Sequence, residues 1–136
     1  MTRYLLDTNI LSDLIRNPGG RVTNRIRVEG ESKVCTSIVV AAELRYGATK
    51  RGSPALSARV EAVLGALEVV PLDTPTDISY ADVRAKLERS GTPIGGNDLL
   101  IAAHALSLGC TIVTDNVSEF SRVEGLALEN WLRSEA

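Results

Sequence analysis

The sequence predicts an α/β fold, a short and mainly parallel sheet covered on both faces by helices. Short apolar runs of β character alternate with stretches of helical period along the chain, and such alternation joins parallel strands through helical crossovers. The length, 136 residues, and the 44% hydrophobic content suit one domain able to bury a core. Right-handed crossovers place all the carboxyl ends of the strands on one side, where sites form in open sheets of this kind.

The elements follow in order. Residues 4–6 read as the first strand, ending at Asp7. A helix comes next, with Ile10, Leu11, Leu14 and Ile15 on one face, and Pro18 and Gly19 stop it. Residues 21–28 form a weaker helix and 34–36 a second strand. Ser37 is placed as the N-cap of a helix over 38–48. Residues 55–67 carry Val60, Val63, Leu64 and Leu67 at amphipathic spacing. A third strand is expected over 69–72. The helix at 76–89 shows Tyr80, Val83 and Leu87 as one stripe, and 91–96 is a loop. The helix at 98–108 is apolar nearly all round, which predicts burial, and Gly109 ends it. Residues 111–114 are a fourth strand and 126–128 a fifth. Trp131 is expected to close over the core.

Charge and composition narrow the function. The net charge is −2, which argues against a simple nucleic-acid coat but not against an enzyme whose acids hold cations. From Arg16 to Arg51 eight basic residues face three acidic ones, a polarised stretch able to steer a phosphate backbone. Within it Arg16, Arg45 and Arg51 are candidates for holding flanking phosphates. Cys35 and Cys110 each sit beside β-branched residues and read as small buried hydrophobes, and with one histidine, His104, a zinc site lacks ligands. His104 falls six residues after Asp98 and is read as structural rather than catalytic. An acid arrives at Asp7 before any leader's apolar core, and no run reaches the length of a membrane span, so a cytoplasmic protein is expected.

Four acids fit structural roles poorly. Asp7 closes YLLD and Asp115 closes TIVTD, both at carboxyl ends of expected strands. Glu43 interrupts an apolar helix, and Asp98 opens the buried one. Singly, each has a plainer reading as a helix cap, a solvent-facing residue or a turn. Together they converge on one sheet edge, where clustered carboxylates repel unless a cation offsets them. Oxygen ligands of that kind select a hard divalent ion such as Mg²⁺ or Mn²⁺.

Four blocks, LLDTNILSDL, SIVVAAELRYGA, TPIGGNDLLIAAHAL and IVTDNVSEF, occur in this order. In these blocks the chain resembles the PIN-domain toxins of bacterial toxin–antitoxin pairs, the VapC group. The resemblance implies a single PIN domain over 1–136, of three-layer α/β/α form. It implies a Mg²⁺- or Mn²⁺-dependent endoribonuclease acting on tRNA or other structured RNA and leaving a 5′-phosphate. Asp7, Glu43 and Asp98 match the first three family acids, and Thr8 and Asn9 would help order the site. At the fourth position Thr114, Asn116, Glu119 and Phe120 match the pattern while Asp115 falls at a variable place, so Asp115, Asn116 or Glu119 is left as the fourth ligand. The resemblance also implies a cognate VapB-like antitoxin, a homodimer and a toxin–antitoxin hetero-oligomer. The competing readings are a DNA-directed or structure-specific nuclease using the same acids, a phospho-acceptor signalling domain, and a non-catalytic binding module. The signalling reading lacks a lysine after residue 90.

Overall fold

The computed structural model describes residues 2–133. Its sheet has five strands: β1 (Tyr4–Leu6), β2 (Val34–Ser37), β3 (Glu68–Val70), β4 (Thr111–Val113) and β5 (Leu128–Glu129). They lie in the order β3-β2-β1-β4-β5, and every pairing is parallel. The three central strands are buried throughout, which is why none of them alternates between apolar and charged residues. Leu5, Leu6, Cys35, Ile112 and Val113 are fully buried at the centre of the core.

Helices α1 (Thr8–Arg16) and α2 (Arg21–Glu29) connect β1 to β2, and α3 (Ile38–Arg51) and α4 (Pro54–Ala66) connect β2 to β3. The chain returns through α5 (Thr76–Arg89) and α6 (Gly96–Leu108) to β4, and a single turn, α7 (Val117–Phe120), precedes β5. The connections leaving β1 and β4 therefore diverge to opposite sides of the sheet. Between such neighbours a crevice opens at the carboxyl ends, and this is where a site belongs.

Local chemistry sets the element ends. Asp7 caps α1 by accepting from the Thr8 backbone N–H. Ser37 caps α3 through the Val39 N–H, and Ser53 caps α4 with Pro54 in its first turn. Gly52 and Gly109 end α3 and α6 at φ of 62° and 68°, left-handed values that favour glycine.

Several boundaries depart from expectation. Helix α3 runs to Arg51 because nothing before Gly52 breaks it. Strand β3 lies at Glu68–Val70 and stops before Pro71, which has no N–H to donate. Helix α6 begins at Gly96, so Asp98 sits inside the first turn rather than capping it. Strand β5 is shifted to Leu128–Glu129, and α7 is a turn that too few residues announce. Trp131 does close the core, tilted against Tyr4 with ring centroids 5.2 Å apart. Both cysteines are buried and free. No described helix is long and apolar enough to cross a membrane.

Candidate active site

The crevice between β1 and β4 begins with Asp7. Its backbone N–H donates to the Val113 carbonyl at 2.9 Å, so the end of β1 is locked to the end of β4. The Asp7 side chain is only 3% exposed. It accepts from the Thr8 N–H at 2.8 Å and from the Thr114 hydroxyl at 2.7 Å, with Asn9 Nδ2 at 3.4 Å. Burial pushes its carboxyl above the ordinary range, Glu43 adds to this, and the three hydrogen bonds oppose it. A buried carboxylate held by neutral donors and by no cation retains most of its negative charge for a ligand.

The other acids stand around it. Glu43, from α3, accepts the Thr8 hydroxyl at 2.5 Å and Asn97 Nδ2 at 3.4 Å, so Thr8 bridges the first and second acids. Asp98, from the first turn of α6, faces Glu119 of α7. Asn116 Nδ2 donates to both, at 3.2 Å to Asp98 and 2.5 Å to Glu119. Glu119 also accepts the Gly95 backbone N–H at 2.7 Å. Asp98 is pushed up to about 8 by burial, by its hydrogen bond with Glu119 and by the charges of Asp7, Glu119 and Glu43. Glu119 is held low by that same hydrogen bond and by the Gly95 N–H. Burial and the neighbouring acids thus disfavour ionising both carboxyls at once.

Asp115 takes a different part. Its backbone N–H donates to Asn9 Oδ1 at 2.9 Å, which fixes the turn. Its carboxylate accepts from Asn130 Nδ2 at 2.9 Å and Arg133 Nε at 3.1 Å, and these partners hold its pKa below the usual range. Asp115 borders the cleft, but its charge is spent on the C-terminal turn. Thr114 donates to Asp7 and accepts the Asn116 N–H at 3.0 Å, so its hydroxyl orders both sides of the site.

The resulting cleft, about 480 Å³, is lined by Asp7, Thr8, Asn9, Ser12, Arg16, Glu43, Asp98, Asp115, Asn116 and Leu132. The structure thus brings Asp7, Thr8, Asn9, Arg16, Glu43, Asp98, Asp115 and Asn116 to one cleft from four separate segments. Among the described residues no three acids yet close around a single point. They form an open set along one cleft. The donors suit a hard divalent cation: carboxylate and amide oxygens, with a buried acid that has no counter-cation among the described residues.

Of the arginines singled out in the sequence, Arg16 reaches the cleft. Arg45 instead makes a two-pronged pair with Glu61 of α4 at 2.9 and 3.0 Å. His104 is buried, its Nδ1 2.9 Å from the Ser37 hydroxyl, and so ties α6 to the cap of α3. Sequence patterns offered no sign of Leu132 at the cleft or of Asn130 and Arg133 on Asp115, since they follow the last strand in a stretch without periodicity.

Comparison with known proteins now bears on this geometry. The PIN domain family model matches residues 4–126. The chain belongs to the PIN-domain family. Within it the likeness is to the VapC group. The tRNA(fMet)-specific endonuclease VapC of Salmonella typhimurium is 39% identical over 132 residues, 96% of this chain and 99% of that protein. Ribonuclease VapC2 of Rickettsia felis is 36% identical over 130 residues, 94% of this chain and 97% of that protein. The crystal structure of VapBC2 from Rickettsia felis, bound to a DNA fragment from their promoter, matches with a TM-score of 0.87 and 34% identity, covering 96% of this chain and 99% of that one. Each of these similarities spans the PIN crevice and all four acidic segments.

Proposed function

We propose that this chain is a metal-dependent endoribonuclease and the toxin half of a VapBC-type pair, hydrolysing phosphodiester bonds in tRNA or another structured RNA. The observation that carries the reading is the buried Asp7 carboxylate, held by Thr8, Asn9 and Thr114 and facing Glu43 and Asp98 across one cleft. The VapC names of the similar proteins support the choice of RNA.

In this reading Asp7, Asp98 and Glu43 hold Mg²⁺ or Mn²⁺, and Glu119 with Asn116 supplies the fourth position; Asp115 borders the site without donating its charge. An ion held there would supply Lewis acidity and lower the pKa of a bound water. The chain's own residues do the rest. Thr114 and Thr8 fix the two oxygens of Asp7 and one of Glu43, which limits their freedom to turn away from the cleft. Glu43 is placed to orient or deprotonate the attacking water. Arg16, at the cleft rim, offers a cationic contact to the substrate backbone.

An antitoxin partner belongs to the same reading, supported by the VapBC complex that the fold matches. Beside the cleft a groove of about 270 Å³ is lined by Ile15, Leu44, Leu56 and Val60 together with Arg16, Arg51 and Glu43, suited to a largely apolar segment. A homodimer and a toxin–antitoxin hetero-oligomer complete the proposed assembly.

The test is cleavage of total tRNA by the purified, antitoxin-free protein in Mg²⁺, Mn²⁺ or EDTA. Discrete fragments carrying 5′-phosphates are expected with metal, and none with EDTA or in Asp98→Asn and Asp7→Asn. Cleavage that persists in EDTA would overturn the metal assignment. A folded protein that leaves every RNA intact would overturn the ribonuclease reading.

A further inference from the structure

A cleft that acts on one phosphate leaves the neighbouring nucleotides to be held elsewhere. Single-stranded RNA is held largely by bases stacked on aromatic rings, with cations tracking the backbone. The chain has three tyrosines, one tryptophan and one phenylalanine. Phe120 is fully buried, and Tyr4 and Trp131 are buried and pack on each other. Tyr80 is half-buried on α5, and its hydroxyl accepts from Arg84. Tyr46 differs from all of these. It is 66% exposed and lies on α3, the helix that carries Glu43.

Glu43, Tyr46 and Lys50 stand at i, i+3 and i+7, so they form one stripe along α3. Neighbours three or four apart on a helix have Cβ atoms roughly 5–6 Å from each other. A helical side chain leans toward the N-terminus of its helix, which directs the Tyr46 ring back over the turn that bears Glu43. Lys50 shows the same lean, its Nζ lying over the Tyr46 ring at 5.9 Å. Glu43 itself lines the cleft. The stripe thus runs from an acid of the cleft to an open aromatic ring and then to a cation, the order of groups that a nucleotide chain leaving the cleft would meet. A second copy of the chain laid on this face would strip water from Lys50, which has no acidic partner among the described residues. A nucleotide instead brings a phosphate to it.

We propose that Tyr46 is a stacking platform for one unpaired base of the RNA beside the cut, with Lys50 holding the adjoining phosphate. The proposal rests on the ribonuclease reading and deepens it. A base can lie on the ring only when it has left its own stack, so the bond cut lies in a single-stranded segment rather than within a duplex. Every base has a π-face, so the platform selects strandedness and not sequence. Tyr46 touches no reacting atom in this arrangement and acts through binding alone.

The experiment measures fluorescence anisotropy of labelled oligo(A) and of a labelled RNA duplex with the full-length, antitoxin-free Asp98→Asn protein in Mg²⁺ across a salt series, and tRNA cleavage by the wild type in parallel. Tyr46→Ala, added to that background, is expected to weaken oligo(A) binding by roughly tenfold, the loss of one base–aromatic stack, and to leave the slope of log affinity on log salt unchanged. Tyr46→Phe should retain the affinity, and Lys50→Gln should flatten the slope by about 0.7. Duplex binding should be the same with and without Tyr46→Ala. In Tyr46→Trp, oligo(A) should quench the added indole emission and the duplex should not, with the buried Trp131 of the parent as baseline. Undiminished oligo(A) affinity in Tyr46→Ala, or Tyr46→Trp emission that oligo(A) leaves unchanged, overturns the platform alone when the wild type still cleaves RNA. An equal loss for oligo(A) and duplex overturns it too, as does a Tyr46→Ala effect confined to the oligomeric state or to antitoxin binding. A parent that binds neither RNA, beside a wild type that cleaves none, overturns the platform together with the ribonuclease reading.

Discussion

Glu119 and Asp115 are both acids near the end of β4, four residues apart, yet their surroundings give them opposite work. Glu119 faces Asp98 and shares Asn116 with it, whereas Asp115 is paired with Arg133 and accepts from Asn130. A carboxylate already paired with a cation gains little from a second one. Glu119→Gln is therefore expected to weaken Mn²⁺ binding, followed calorimetrically, by more than Asp115→Asn does. The reverse order would return the fourth ligand to Asp115. The sequence alone left this choice open, because both residues lie within reach of the strand end and only the direction of each side chain separates them.

At the scale of elements, the site depends on how α3 and α6 are held, since they carry Glu43 and Asp98. Ser37 and His104 provide the tie. Ser37 caps α3 through the Val39 N–H at 3.0 Å and meets His104 of α6 at 2.9 Å, both in buried surroundings. Burial holds the His104 ring below the usual histidine range, so it is neutral at physiological pH and its Nδ1 bonds without charge. Ser37→Ala removes the cap and leaves Nδ1 unpartnered, at a combined cost of about 2–3 kcal/mol. Chemical denaturation would read this loss, and a change below about 0.5 kcal/mol would show that the tie contributes little. The helices themselves were legible from apolar spacing and from glycine and proline stops. The expectation that His104 is structural agrees with its burial, but its partner across 67 residues of sequence had no local signature.

For the whole molecule, the cluster of acids makes stability depend on pH and on metal. Asp7 and Asp98 both have pKa values raised in the folded state, Asp98 to about 8. A raised acid stabilises the fold below its unfolded pKa and loses that contribution as pH rises through the folded value. Glu119, held low, acts in the opposite sense, but only in the acidic range below an ordinary glutamate. The metal-free protein is thus expected to melt at progressively lower temperature from about pH 5 to pH 8. Mg²⁺ should remove most of that decline, because it offsets the clustered carboxylates and binds the folded state alone. Melting curves in EDTA and in Mg²⁺ across this range provide the check. Curves that coincide at every pH would show that these acids hold no ion.

The sequence by itself determined the alternation of strands and helices, the parallel sheet and the segments that bear Asp7, Glu43 and Asp98. Those features follow from local periodicity, caps and the carboxyl-end rule, all of which act over a few residues. Packing in three dimensions alone turns Glu119 to Asp98 and Asp115 to Arg133, pairs Arg45 with Glu61 and brings Leu132 to the cleft. Each of these is a contact between side chains far apart in the chain or a choice between rotamers. Such contacts are set by packing and charge in three dimensions, and no spacing along the sequence encodes them.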